Sequence, residues 1–138
     1  MRTILLLSII ILHGCSNPAP APPTVPPAPE ALSRTEFTNR IENYFEYEPL
    51  KSGKASQVRI HLTDLSDGSP VEQAEVTLTV KPQSASTPIA QTVSRIGKVT
   101  GIYVADLTLP TPGVYDIEFH IKNAKLDEHL PLSNFKVE

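Results

Sequence analysis

Residues 57–80 read QVRIHLTDLSDGSPVEQAEVTLTV, two stretches of strict alternation on either side of a polar loop. Val58, Ile60 and Leu62 alternate with Arg59, His61 and Thr63, and after the loop Val76, Leu78 and Val80 alternate with Thr77 and Thr79. A period of two sends successive side chains to opposite faces of an extended chain, so each stretch is a strand with one apolar and one wet face. Asp67-Gly68-Ser69-Pro70 carries the turn chemistry between them, and the two strands are expected to pair. Their apolar faces need further strands to complete the sheets they start.

Those strands follow in order. Lys81 to Pro88 is a polar loop, and Ile89, Gln91 and Val93 read as a short strand that Pro88 confines to an edge. Val99 to Leu109 is a longer strand with Ile102, Val104 and Leu107 as its apolar positions. Pro110-Thr111-Pro112-Gly113 forces a turn. Tyr115, Ile117, Phe119 and Ile121 then alternate with Asp116, Glu118, His120 and Lys122 in a third amphipathic strand. Tyr115, directly after the turn, is placed for a tyrosine-corner bond of the kind found in immunoglobulin-like sandwiches. Asn123 to Glu128 turns the chain, and Leu130, Leu132, Phe135 and Val137 close it, with a bulge expected near Ser133-Asn134. Residues 33–48 are ambiguous. Ser33 to Glu36 reads as a capping box before a helical face of Phe37, Ile41, Tyr44 and Phe45, but Phe37, Ile41, Phe45 and Tyr47 also share one face of a strand. The expected fold is all-β, an immunoglobulin-like antiparallel β-sandwich of about seven strands over residues 35–138.

The front of the chain is of a different character. Ile4 to Leu12 is apolar apart from Ser8, the length of a signal-peptide core and too short for a membrane-spanning helix, which needs about 20 residues. Leu12-His13-Gly14-Cys15 resembles a bacterial lipobox, although His13 departs from the usual small residue. The resemblance implies a signal peptide over residues 1–14, cleavage after Gly14 and a lipid on Cys15. Ser16, not Asp, follows the cysteine, which by similarity to Gram-negative lipoproteins favours the outer membrane. Seven of the 14 prolines fall between residues 18 and 29. Proline fixes φ and removes a donor, so residues 15–34 are expected to be a lipidated cysteine followed by a spacer, extended over Asn17 to Glu30 for about 40 Å at ~3.1 Å per residue.

Composition removes several classes of function. The chain has 138 residues, enough for one domain, and a net charge of −3 with no basic run, which argues against nucleic acid as a partner. One cysteine allows neither an intrachain disulfide nor a multi-thiolate zinc site. Met1 is the sole methionine and is lost with the signal peptide, so a methionine-based copper(I) site is excluded. No phosphate loop, nucleophile elbow or His-Glu-x-x-His helix is present, and neither enzymatic activity nor a cofactor is expected. His61, His120 and His129 are the remaining metal-ligand candidates. On a sandwich the outer faces point apart, so His61 and His120 are not expected to meet, and all three read most simply as solvent-facing or locally bonded. Glu42, Glu46 and Glu48 form a small acidic group that could face a partner or simply be solvated.

Residues 37–71, FTNRIENYFEYEPLKSGKASQVRIHLTDLSDGSPV, resemble the N-terminal domain of periplasmic adaptor subunits of heavy-metal efflux systems of the RND type. The positions that carry the resemblance are Thr38, Glu42, Tyr44, Glu46, Gly53, His61, Leu62, Thr63, Leu65, Pro70 and Val71. It implies a small β-sandwich, which tips residues 37–47 toward strand. Adaptors of that family continue through a helical hairpin, a lipoyl-like domain and barrels. This chain is expected to carry the sandwich module alone, without the bridging role. Three functional expectations follow: a lipid-anchored periplasmic binding or accessory module linked to heavy-metal efflux, a general envelope lipoprotein that contacts or spaces a protein partner, or a histidine-based metal-binding protein.

Overall fold

The two strands dictated by alternation lie in different sheets. A computed structural model describes residues 27–138; the expected signal peptide, Cys15 and the expected spacer as far as residue 26 lie outside the described residues. The elements are β1 (Leu32–Phe37), β2 (Ile41–Tyr47), β3 (Ala55–Asp64), β4 (Glu75–Pro82), β5 (Ala90–Val93), β6 (Arg95–Ile96), β7 (Ile102–Thr108), β8 (Gly113–Lys122) and β9 (Asp127–Val137). They form two antiparallel sheets, one of five strands in the order β1-β2-β3-β7-β6 and one of four in the order β5-β4-β8-β9. No helix among the described residues is long and apolar enough to cross a membrane.

Pairing of β3 with β4, expected from the loop between them, does not occur. The Asp67–Pro70 turn folds back only on the end of β3, where Asp64 N–H donates to the Ser69 carbonyl at 2.8 Å and Thr63 bridges to Pro70. The chain then crosses from one sheet to the other through Val71 and Ala74, both buried. Their backbone is fastened by Tyr103, whose hydroxyl donates to the Val71 carbonyl at 2.8 Å and accepts from Ala74 N–H at 3.0 Å. Gly101 sits against this crossing with φ of +78°, and a Cβ there would lie 2.6 Å from Pro70 Cβ. Only glycine meets both conditions without strain.

Nine strands replace the expected seven for two reasons. Residues 33–48 are neither a helix nor one strand but a hairpin. The Thr38 hydroxyl accepts from the backbone N–H groups of Arg40 and Ile41, both at 3.1 Å, and reverses the chain between β1 and β2. That leaves Phe37 on the outside of an edge strand, 59% exposed, while Ile41 and Phe45 are fully buried. The fold reaches forward to Leu32, into the stretch assigned to the spacer. The second reason is a change of sheet: β5 pairs with β4, and immediately after Ser94 the chain continues as β6 against β7. On β7 the buried face is Tyr103, Ala105 and Leu107, so Leu107 points inward as expected but Ile102 and Val104 lie on the outer face. Ile89 and Val93 are likewise exposed.

Phe45 from one sheet and Phe119 and Phe135 from the other meet at the centre, with ring centroids 4.9 and 6.1 Å from Phe45. Ile60, Leu62, Val76, Leu78, Val80 and Ile117 extend this single core. The void among Phe45, Leu78, Leu107 and Phe119 is about 10 Å³, at the lower limit for one water. The expected tyrosine corner is present: Tyr115 Oη donates to the Thr111 carbonyl at 2.8 Å. So is the bulge, where the register slips between Tyr115↔Phe135 and Ile117↔Leu132 and Asn134 takes a φ of 71°. One core residue breaks the pattern. Asn43 on β2 is fully buried, and neither polar atom of its amide has a hydrogen-bond partner among the described residues. An unsatisfied buried amide costs about 1–3 kcal/mol. Asn43→Leu, which keeps the side-chain branching and removes the polar atoms, is therefore expected to raise stability by about 1–2 kcal/mol, read as a higher urea midpoint at unchanged slope.

Candidate functional site

Two outer faces carry the polar chemistry, one on each sheet. On the four-stranded sheet, β8 and β9 are joined by a tight loop that Asn123 organises, its Oδ1 accepting from the backbone N–H groups of Lys125 and Leu126 at 2.8 and 2.9 Å. This loop fixes the hairpin register, and the register puts His120 directly opposite His129 and Lys122 opposite Asp127. The two imidazoles stack, with centroids 4.1 Å apart and planes within 12°. Asp127 reaches across them. Its Oδ1 lies 2.7 Å from His120 Nε2 and 3.9 Å from His129 Nε2, and its Oδ2 lies 3.1 Å from Lys122 Nζ. Donation from His120, then from Lys122, holds the Asp127 carboxyl below the ordinary carboxylate range. It is therefore ionised and accepts, and His120 Nε2 carries the proton of that bond. On the far side of the pair, Glu118 Oε1 lies 3.0 Å from His129 Nδ1, which leaves Nε2 as the ring nitrogen on the Asp127 side. One ligand atom from each of His120, Asp127 and His129 lies within 4.8 Å of the other two.

The five-stranded sheet presents a second group. Glu42, Tyr44 and Glu46 on β2 lie opposite Thr63, His61 and Arg59 on β3. Tyr44 meets the His61 ring edge-on at 5.3 Å. His61 Nε2 is sealed from solvent and sits 3.8 Å from Glu46 Oε2, beyond hydrogen-bond reach. Thus Glu42, Tyr44, Glu46, His61 and Thr63, singled out from the sequence one by one, form a contiguous patch. The remaining singled-out residues have local roles. Thr38 makes the β1–β2 turn, and Gly53, with φ of +70°, donates from its N–H to the Leu109 carbonyl at 2.7 Å. Pro70 is exposed on its loop, Leu65 is 45% exposed, and Leu62 and Val71 are buried. Glu48 is exposed beyond the end of β2. Cys15 lies outside the described residues.

His61 lies on one outer face and His120 on the other, as expected. The meeting of His120 with His129 is the finding that the sequence reading missed. The signal was available in the loop: a four-residue turn over residues 123–126 pairs 120 with 129 by counting outward. An open cleft of about 510 Å³ lies between the β3–β4 and β8–β9 loops, lined by Asp64, Ser69, Glu72, Gln73, Asn123 and Lys125. Comparison of the chain with known protein families, with characterised proteins and with solved structures finds no match.

Proposed function

We propose that the protein is a lipid-anchored binding module of the bacterial envelope, held by Cys15 on the periplasmic side of the outer membrane. It works as an accessory to heavy-metal efflux by touching a partner protein and carries out no reaction. Its domain is read as an immunoglobulin-like sandwich, a reading supported by the two antiparallel sheets, the sheet-switching strand and the Tyr115 corner. The observation that carries the functional reading is the patch on the five-stranded sheet. Glu42, Tyr44, Glu46, His61 and Thr63 contribute nothing to the core, yet they come together on one face and are among the residues through which the chain resembles efflux adaptors. A tyrosine such as Tyr44 is the usual anchor of a protein contact, and polar groups such as the glutamates suit its rim.

Deleting the gene is expected to lower tolerance to zinc or copper salts. The native chain should restore growth, whereas the double variant Tyr44→Ala, Glu46→Arg should not, at equal membrane abundance. Unchanged tolerance in the deletion strain contradicts the metal link. Full rescue by the double variant contradicts the assigned face.

A further inference from the structure

We infer that His120, Asp127 and His129 form a binding site for a borderline divalent transition-metal ion, Zn²⁺ or Cu²⁺, on the outer face of the β8–β9 hairpin. The donor set is two imidazole nitrogens and one carboxylate oxygen, the complement that such ions accept and that leaves one position for water. The distances suit it. Ligand atoms bound at about 2.0–2.2 Å around a tetrahedral ion sit roughly 3.3–3.6 Å apart. The Asp127 oxygen is 2.7 Å from one imidazole nitrogen and 3.9 Å from the other, bracketing that separation, and binding requires the two stacked rings, now within 12° of parallel, to turn so that both in-plane lone pairs meet at a common centre. Paired strands hold the ligands, so the backbone need not move.

A second feature points the same way. Glu118 Oε1 lies 3.0 Å from His129 Nδ1, so a hydrogen bond on that side of the ring orients Nε2 toward the other two ligands, the carboxylate–histidine arrangement that positions metal ligands. Two parts of the local structure oppose binding and set its strength. The His120 Nε2 proton must leave, and Lys122 Nζ, 3.1 Å from Asp127, must give up its hold on the carboxylate. Metal thus takes the place of the His120 hydrogen bond, whose proton passes to Nδ1 or to solvent, and of the Lys122 ammonium, which favours reversible loading over permanent capture. The site gives the metal-linked role its ion and rests on that role for its meaning in the cell, but the binding stands on the geometry alone.

Calorimetric titration of the full chain, purified in detergent, tests it with Zn²⁺, Cu²⁺ and Mg²⁺ as separate probes. One Zn²⁺ or Cu²⁺ per chain is expected, with no Mg²⁺ binding. His120→Ala and His129→Ala should each weaken affinity at least about tenfold, and Glu118→Gln about 10–100-fold. Lys122→Gln should tighten it, a change that loss of folding cannot imitate, and His61→Ala should leave it unchanged. No heat at millimolar Zn²⁺ and Cu²⁺ overturns the site, as does binding indifferent to His120 and His129 or equal for Mg²⁺. Failure here with a metal-sensitive deletion strain removes the site and keeps the role. Binding here with normal tolerance in that strain does the reverse.

Discussion

Phe119→Ala is expected to destabilise the domain by about 3–5 kcal/mol, much of the ~5–15 kcal/mol that holds an ordinary domain together. Phe119 is fully buried, pairs across the sheet with Leu78 and Leu130, and meets Phe45 of the other sheet at 4.9 Å. It is the side chain through which the two layers grip each other. Truncation loses its transfer free energy and leaves a cavity that paired strands on both sides cannot close. At several degrees per kcal/mol, the melting temperature should fall by about 15 °C or more. Ile96→Ala is the control: Ile96 is 63% exposed, so the change should stay within about 0.5 kcal/mol. Equal melting temperatures for the two variants would show that the sheets do not share this core.

Under the proposed anchoring, Cys15→Ala should move the protein from the membrane fraction to the soluble periplasmic fraction. Acyl chains contribute about 0.8 kcal/mol per buried CH₂, so several of them hold a small domain firmly and their loss leaves nothing comparable. The spacer after Cys15 is rich in proline and would keep the domain at a distance from the bilayer without adding affinity for it. Fractionation with and without the substitution reads the result. Retention of the variant in the membrane pellet would show that something other than Cys15 holds it there.

How far the sequence could be read depended on whether its signals were local. Alternation identified β3, β4 and β8 because each has one apolar and one polar face. Turn chemistry located the Asp67–Pro70 loop and the Tyr115 corner. The bulge was legible because Ser133-Asn134 interrupts an otherwise regular alternation, and asparagine tolerates the left-handed backbone required there. Reading failed where partners are distant in sequence. β7 has apolar residues on both faces, and only its register against β3 decides that Tyr103, Ala105 and Leu107 go inward. Phe37 looked like core and lies outside because a threonine hydroxyl turns the chain one residue later. β3 and β4 resembled a hairpin because no periodicity records which sheet a strand joins. The grouping of His120, Asp127 and His129 was missed for the same reason: three separate polar residues become a cluster only when a hairpin register superimposes them.

The most direct test of the account is imidazole-nitrogen NMR of the full chain during Zn²⁺ titration. The prediction is that the Nε2 resonances of His120 and His129 shift together and saturate at one equivalent, while His61, on the opposite sheet, stays where it was. Resonances that do not move, or three histidines that respond alike, would contradict it.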